Sequence, residues 1–291
     1  MKRVSILTTL LLVLAMVLVG CGSGGGSTPS PSPSAAATPT PIANPTIRLS
    51  TTTSVNDSGL LPYLQPAFEA DTGYKLEITS NGTGAAIKLG ETGDADCLLV
   101  HAKASEEQFV TDGFGVERKP FMHNYFVIAG PKDDPSKVKD AKSAADAFKA
   151  IAASGKDFVS RGDDSGTHKA ELGIWTKAGI DPAGKKYYVS VGAGMGASLT
   201  QANERKAYIL TDKATYLSMK ENLADLEILL EQSDELKNVY SLIAVNPEKH
   251  ADTNIDGANA FIEWMTSKKA LDLIAEYGKD TYGEALFYVG E

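Results

Sequence analysis

The sequence predicts an α/β protein of two lobes, and three patterns along the chain carry this prediction. Apolar runs of strand length alternate with runs of helical length through most of residues 46–291, which is typical of folds built on mainly parallel sheets. Glycine and small hydroxyl residues follow several of the strand-like runs. Two extended apolar segments separate compact α/β blocks, as expected where a chain crosses between lobes that close about a hinge.

Nine segments have the composition of strands, and eight segments between them have that of helices. Strands are expected at 46–50, 74–79, 96–100, 125–129, 158–160, 187–191, 208–211, 226–230 and 240–245. Helices are expected at 58–70, 83–91, 104–112, 143–154, 165–178, 196–206, 213–220 and 257–277. The last helix carries Phe261, Trp264, Leu271 and Ile274 at the spacing of a buried face.

The two extended segments divide the folded part of the chain. The first crossing is expected at Asn124–Gly130 and the second at Ser241–Asn246. One lobe would then comprise residues 46–124 plus 246–291, and the other residues 125–245 with the hinge strands. A ligand would bind in the cleft between them. The alternative is one continuous doubly wound domain.

The N-terminus has the pattern of an export signal. Lys2 and Arg3 precede the apolar run Ile6–Val19, which is too short to span a membrane comfortably. The run ends at Cys21, as in bacterial lipoprotein signals, so residues 1–20 are interpreted as a signal peptide and Cys21 as the acylated residue. Residues 21–45, rich in Gly, Ser and Pro, form a tether. The protein is thus expected outside the cytoplasm, anchored to the membrane. The alternative is an ordinary signal peptide in which Cys21 is incidental.

Charge and cysteine content exclude some classes of protein. The net charge is −9, and it is −11 without residues 1–20, which disfavours nucleic acid as a partner. A local cluster of oriented donors still binds an anion within a diffuse negative field that salt screens. Besides Cys21 the chain has only Cys97, in an apparent buried strand, where a structural free thiol is expected.

Four strand-to-helix junctions carry the candidate binding residues. They are Ser50–Gly59, Asn81–Gly84, Ser160–His168 and Gly192–Gly196. Ligands of α/β proteins bind beyond the carboxyl ends of strands, where helix N-termini present free N–H groups, hydroxyls add donors and glycines allow close approach. A helix cap is the plainer role for any single junction. The candidate ligand-binding residues are Thr53, Ser54, Thr83, Arg161, Ser165, Gly166, Thr167, Met195 and Gly196.

Arg161 distinguishes the third junction from the others. Its guanidinium is always charged and presents a planar fork that suits oxyanions. The alternative is an ion pair with Asp163 or Asp164.

Several of these motifs resemble one family. Thr51–Ser54, Ser160–His168, Gly194–Gly196 with Asn203-Glu204, and Tyr208–Asp212 are similar to segments of the tungstate-binding components of bacterial ABC transporters. The resemblance implies a two-lobed periplasmic-binding-protein fold of type II that binds tungstate or molybdate for a permease and its ATPase. It also implies that Thr53, Ser54, Arg161 and Thr167 line the anion site. No reaction, cofactor or protein-ligated metal is expected, and the protein is expected to be a monomer.

Phosphate is the main alternative ligand, because the spacing of Arg161, Asp163, Ser165 and Thr167 also fits phosphate-binding proteins. Tungstate carries no proton at neutral pH and needs only donors, whereas phosphate carries at least one and needs an acceptor. The candidate acceptors are Asp57, Asp163 and Asp164.

Three other motifs are given less weight. A hydrolase would use Ser165 and His168, but the nucleophile elbow Gly-x-Ser-x-Gly is missing. Gly192–Ala197 fits a relaxed dinucleotide fingerprint but does not lie in the first βαβ unit. Asp252–Glu263 fits the calcium-loop pattern, but a strand-like run precedes it, and a helix capped by Asp256 explains it better.

Overall fold

The computed structural model describes residues 42–231 and 233–290. The predicted signal peptide, acylated Cys21 and most of the tether lie outside these residues. No helix within the described residues is long and apolar enough to span a membrane.

The first half of the described chain alternates strands and helices around one sheet. It contains β1 (Thr46–Thr52), α1 (Thr53–Asp57), α2 (Leu60–Thr72), β2 (Lys75–Asn81), α3 (Thr83–Thr92), β3 (Cys97–Val100), α4 (Lys103–Thr111) and β4 (Lys119–Pro131). β1 pairs in parallel with β2 on one side and β3 on the other. This sheet, its helices and the C-terminal helices below are called the first lobe.

The second half builds another sheet and then returns to the first. It contains α5 (Ala144–Ser154), β5 (Phe158–Ser160), α6 (Gly166–Lys177), β6 (Tyr188–Ser190), α7 (Met195–Arg205), β7 (Tyr208–Asp212), α8 (Lys213–Met219) and β8 (Leu226–Leu230). These elements are called the second lobe. β9 (Lys237–Ala244), α9 (Ile255–Met265), α10 (Lys268–Glu276), α11 (Lys279–Tyr282) and β10 (Tyr288–Val289) complete the chain.

β4 joins the two sheets. Its first half, up to Tyr125, pairs with β9, and from Phe126 onward it pairs with β7 and β8. The first crossing therefore lies where the sequence predicts it, within Asn124–Gly130.

The second crossing lies earlier than predicted. β9 pairs with β3 and β4 of the first lobe along its length, with Ile243 opposite Leu98. The chain thus leaves the second sheet at the end of β8, Leu230, and has joined the first by Lys237. Ser241–Asn246 is not a crossing, because a central strand buried on both faces has the same continuous apolar pattern as an extended linker.

The observed pairing is more mixed than the predicted mainly parallel sheets. Parallel pairs are β1–β2, β1–β3, β5–β6 and β5–β7, whereas β4 and β9 pair antiparallel with their neighbours. The strands next to the crossings, β4 and β9, therefore run antiparallel to the neighbouring strands of each βαβ unit. The α/β class with two crossings is confirmed.

Each predicted strand and helix corresponds to an observed element, with two corrections near the C-terminus. The helix expected at 257–277 is two helices, because Ser267 ends one and caps the next by accepting a hydrogen bond from the Ala270 N–H. The cap before Gly257 is Asn254 rather than Asp256, since its Oδ1 accepts from the Gly257 N–H. Phe261 still packs in the first-lobe core.

Each lobe has its own apolar core. Phe68 packs edge-on against Phe261 and Trp264 in the first lobe, and Phe148, Phe158 and Trp175 form a similar group in the second. Cys97 is free and fully buried, as predicted, and burial raises the pKa of its thiol. These rigid cores hold the strand ends that carry the candidate site.

Candidate anion-binding site

The first and third junctions meet across the cleft. Thr53 follows β1 in the first lobe, and Arg161 follows β5 in the second. Nη2 of Arg161 donates a hydrogen bond of 3.2 Å to Oγ1 of Thr53. Two side chains predicted to bind the same ligand, 108 positions apart, are therefore in contact.

The second junction also touches the third. A Cβ at Gly82 would lie 3.3 Å from the main-chain oxygen of Asp163 and 3.7 Å from Cα of Ser165. Glycine allows this close approach of the lobes. Thr83, which begins α3, and the start of α6 are thereby brought to the same part of the cleft.

Arg161 is buried, with 2% of its side chain exposed. Nη2 also donates to Asp163 Oδ2 at 2.6 Å, so the ion pair considered as an alternative does form. This ion pair does not use every donor of the guanidinium, because Nε is buried and has no hydrogen-bond partner among the described residues. The ion pair thus orients Arg161 and leaves a donor free.

Two threonines present further free donors. Oγ1 of Thr83 and Oγ1 of Thr167 are buried and make no hydrogen bond within the described part of the chain. A buried hydroxyl without a partner costs about 1–3 kcal/mol, so such groups call for an acceptor. The same holds for Ser80, Asn124, Arg118, Ser241 and Thr253. Thr83 and Thr167 are singled out because they lie in the first turns of α3 and α6, which the close approach of Gly82 to Asp163 brings together.

Ser165 and Gly166 form the N-terminus of α6. Oγ of Ser165 accepts a 3.2 Å hydrogen bond from the His168 N–H, which is the capping role considered for this junction. The hydroxyl hydrogen of Ser165 remains available to a ligand. The Ser165 N–H donates to Asp163 Oδ1 at 3.2 Å, which further fixes the carboxylate beside Arg161.

The fourth junction holds the main chain of Arg161 through hydrogen bonds. The N–H groups of Gly192 and Ala193 donate to the Arg161 carbonyl at 2.7 and 3.2 Å. The side chain of Met195 is buried in the second-lobe core, and a Cβ at Gly196 would face Sδ of Met219 at 3.4 Å. These two candidates therefore offer main-chain amides alone.

The turn after Arg161 requires glycine. Gly162 has φ of +61°, and a Cβ there would lie 1.8 Å from Oγ of Ser190. A left-handed conformation without room for a side chain admits only glycine. This turn directs the chain from β5 into the third junction.

Sequence analysis missed a buried histidine beside Ser54. Nε2 of His101 lies 3.1 Å from Oγ of Ser54, and Nδ1 lies 2.8 Å from Oδ1 of Asn238. Asn238 donates through Nδ2 to Asn124 and Tyr240, so Nδ1 of His101 carries the hydrogen and Nε2 accepts from Ser54. Burial lowers the pKa of His101 to about 4, and the ring is neutral at pH 7. Its position directly after β3, like the four junctions, was the available signal.

The predicted acidic acceptors differ in their positions. Asp57 is exposed, and Asp164 is exposed beside Lys169. Of the three, Asp163 contacts Arg161, and its two oxygens already accept from Arg161 and the Ser165 N–H.

Two buried carboxyls were not predicted as acceptors. Burial raises the pKa of Glu171 to about 7, and Glu171 accepts from the Tyr188 hydroxyl and the Trp175 Nε1–H. Burial also raises the pKa of Asp212, whose carboxyl accepts from the N–H and hydroxyl of Thr215. Each carboxyl is thus engaged by neighbouring protein groups.

The geometry does not support a hydrolytic pair. Ser165 Oγ bonds the His168 main chain, and Nδ1 of the His168 ring accepts from the Asp164 N–H at 3.1 Å. The ring is not hydrogen-bonded to the hydroxyl that it would have to activate. Within residues 42–231 and 233–290, no three His, Cys, Asp or Glu side chains are grouped as metal ligands would be.

One cavity of about 1030 Å³ lies away from these junctions. It is found beside the crossings, where Lys213 bridges Glu231 and Glu284. Its size reflects the open groove at the hinge. A small oxyanion needs converging donors rather than volume, so the junction site is the stronger candidate.

Comparison with known proteins gives the class of protein that this fold and site define. A family model described as a PBP superfamily domain matches residues 34–269, and the chain belongs to this superfamily of periplasmic binding proteins. Its relatives narrow the family further. The chain is 51% identical over 247 residues to the tungstate-binding protein TupA of Peptoclostridium acidaminophilum, covering 84% of this chain and 86% of the relative. It belongs to the family of these tungstate-binding transport proteins, which are not enzymes.

Two solved structures agree. The tungstate ABC transporter protein from Geobacter sulfurreducens is 48% identical with a TM-score of 0.74, covering 80% of this chain and 98% of that one. The tungstate-binding protein TupA from Desulfovibrio alaskensis G20 is 41% identical with a TM-score of 0.73, covering 84% and 99%. The expected two-lobed periplasmic-binding fold is therefore confirmed.

Proposed function

We propose that the protein captures tungstate, with molybdate as a second ligand, between its lobes and delivers it to the permease and ATPase of an ABC transporter. The observation that carries the proposal concerns Arg161 Nε, Thr83 Oγ1 and Thr167 Oγ1, three donors at the second and third junctions, which meet where Gly82 approaches Asp163. All three donors are buried, and none has a hydrogen-bond partner among the described residues. A tetrahedral oxyanion accepts from donors on several sides at once, and similarity to proteins named for tungstate binding supports this ligand.

The remaining candidates complete the proposed site. Thr53 and Ser54 border it from the first lobe, Ser165 and Gly166 from the second, and the main chain of Met195 and Gly196 from the fourth junction. Arg161 supplies the full positive charge that a desolvated dianion needs, since helix N-termini supply only partial charges. Exclusion of water between the lobes strengthens each of these interactions.

The donor-rich site favours tungstate over phosphate. A bound phosphate brings at least one proton, and both oxygens of Asp163 already accept hydrogen bonds. Leaving that proton without an acceptor costs about 1–3 kcal/mol, which corresponds to about fivefold to more than a hundredfold in affinity.

Calorimetric titration at pH 7 with tungstate, molybdate, sulfate and phosphate tests this selectivity. Tungstate and molybdate are expected to bind at least about fivefold more tightly than phosphate. Sulfate also carries no proton. Comparing it with tungstate tests selection by ligand size, whereas comparing it with phosphate tests selection by ligand protonation. Equal affinities for phosphate and tungstate would instead favour a phosphate-binding protein in which a carboxyl accepts the ligand proton.

The N-terminal pattern supports attachment to the outer face of the membrane through acylated Cys21. The lone cysteine follows Leu18-Val19-Gly20 and precedes a Gly/Ser/Pro-rich segment, and two acyl chains suffice for stable anchoring. Cys21→Ser is expected to release a monomeric protein from the membrane fraction with unchanged tungstate affinity. Continued membrane retention of this variant would contradict the anchor.

A further inference from the structure

His101 contacts both lobes at once. It follows β3 in the first lobe, its ring lies against Tyr240 of β9 with centroids 4.8 Å apart, and it is 7% exposed. Through its two nitrogens it connects Ser54, at the first junction, to Asn238 in the strand that returns from the second lobe. The ring is therefore held in place from the side of the first lobe.

The opposite side of the ring faces Gly166, the first residue of α6. A Cβ at Gly166 would lie 2.5 Å from Cε1 and 2.8 Å from Nδ1 of His101. Such distances are far inside van der Waals contact, so the glycine main chain rests directly on the imidazole. Because Tyr240 and two hydrogen bonds hold the ring, it has little freedom to move away.

We propose that His101 is a positioning residue for closure of the lobes: its ring sets how closely the N-terminus of α6 approaches the Thr53–Ser54 junction. The inference rests on the proposed function, since closure is what brings Thr167 and Arg161 around the ligand. His101 acts through Gly166 and Ser54 and does not itself touch the anion.

The contact differs from ordinary core packing in where it lies. The apolar cores lie mostly within one lobe or the other, whereas His101 and Gly166 meet between the lobes, beside the Gly82–Asp163 and Thr53–Arg161 contacts. A side chain added at Gly166 would keep the lobes apart without disrupting either core. Ligand affinity is therefore the property that it should change most, with a smaller effect on the stability of the ligand-free protein.

Gly166→Ala, His101→Ala and the double variant test the proposal, with Gly173→Ala as the matched control. Gly173 lies on the same helix, and a Cβ there would have no atom within 4 Å. Calorimetry with tungstate gives affinity, small-angle scattering of the tungstate-saturated proteins gives lobe separation, and circular dichroism verifies folding.

Gly166→Ala is expected to weaken binding by at least about tenfold, equivalent to about 1.4 kcal/mol, and to leave the lobes further apart. Gly173→Ala should bind like the parent. In the His101→Ala background, adding Gly166→Ala should change affinity by less than about twofold, because the new methyl group enters space vacated by the ring.

Parent-like binding by Gly166→Ala would overturn the proposal, as would an equal loss with and without His101. If the parent itself does not bind tungstate, the proposed function fails. The contact is then judged from the thermal midpoints of the ligand-free proteins. Gly166→Ala should lower the midpoint relative to Gly173→Ala, and this difference should shrink in the His101→Ala background; its persistence there would refute the contact.

Discussion

Replacing Arg161 by glutamate is expected to abolish tungstate binding. The side chain is 2% exposed and its Nε faces no protein acceptor among the described residues, so the reversed charge would lie against a desolvated dianion. Arg161→Gln keeps donors but removes the charge. Charge-assisted hydrogen bonds contribute about 1.5–3 kcal/mol, so its affinity should fall by about one to two decades. Arg161→Lys keeps the charge without the planar fork and should lose less.

Calorimetric titration with tungstate measures these losses, and circular dichroism verifies that each variant folds. Arg205 provides the matched control, because it lies in the same lobe and pairs with Asp157 at the surface; Arg205→Gln should bind like the parent. A folded Arg161→Glu protein with parental affinity would exclude Arg161 from the site, and the third junction would then be structural.

Replacing Thr83 and Thr167 by valine is expected to lower the affinity for tungstate without lowering the stability of the fold. Each hydroxyl is buried without a partner in the described residues, so valine removes a donor to the ligand and no hydrogen bond within the protein. Loss of one hydrogen bond to a charged acceptor corresponds to about tenfold in affinity, and the double variant should lose about a hundredfold if the effects add. Thr167→Val should cost less than Arg161→Gln. Stability should stay unchanged or rise, because an unsatisfied buried hydroxyl is removed.

Thr215→Val is the contrasting substitution. The Thr215 hydroxyl lies 2.8 Å from both carboxylate oxygens of Asp212, so this variant should lower the thermal midpoint, whereas the other two should not. Calorimetry and thermal unfolding are measured on the same samples. Loss of stability without loss of affinity in Thr83→Val and Thr167→Val would show that these hydroxyls serve the fold.

Much of this molecule follows from local patterns in the chain. Three features depend on residues close in sequence, whose periodicity can be recognised from the sequence alone. They are the βαβ alternation, the crossing through Asn124–Gly130 and the buried thiol of Cys97. The second crossing was misplaced because the apolar run at Ser241–Asn246 has no local feature that distinguishes a central strand from a linker. Strand order, which decides between them, depends on pairing with β3, more than 140 positions earlier.

The candidate site was predictable where donors mark the ends of strands. Thr53 and Arg161 were recognisable because hydroxyls, glycines and a guanidinium cluster after strands, and the structure brings the two into contact. Glu171 lacks such a signature, since a glutamate within a helix is ordinary in sequence, and His101 has only its position directly after β3, without a glycine beside it. Their burial, which shifts both pKa values toward the neutral forms, arises only when the elements pack together.

The most direct test of the central claim is a crystal structure with tungstate, in which anomalous scattering from tungsten locates the ion. The account predicts one strong tungsten peak between the lobes. The oxygens of the ion at that peak would lie within hydrogen-bonding distance of Arg161 Nε, Thr83 Oγ1 and Thr167 Oγ1. A peak in the hinge groove beside Lys213, with the three donors still without acceptors, would contradict it.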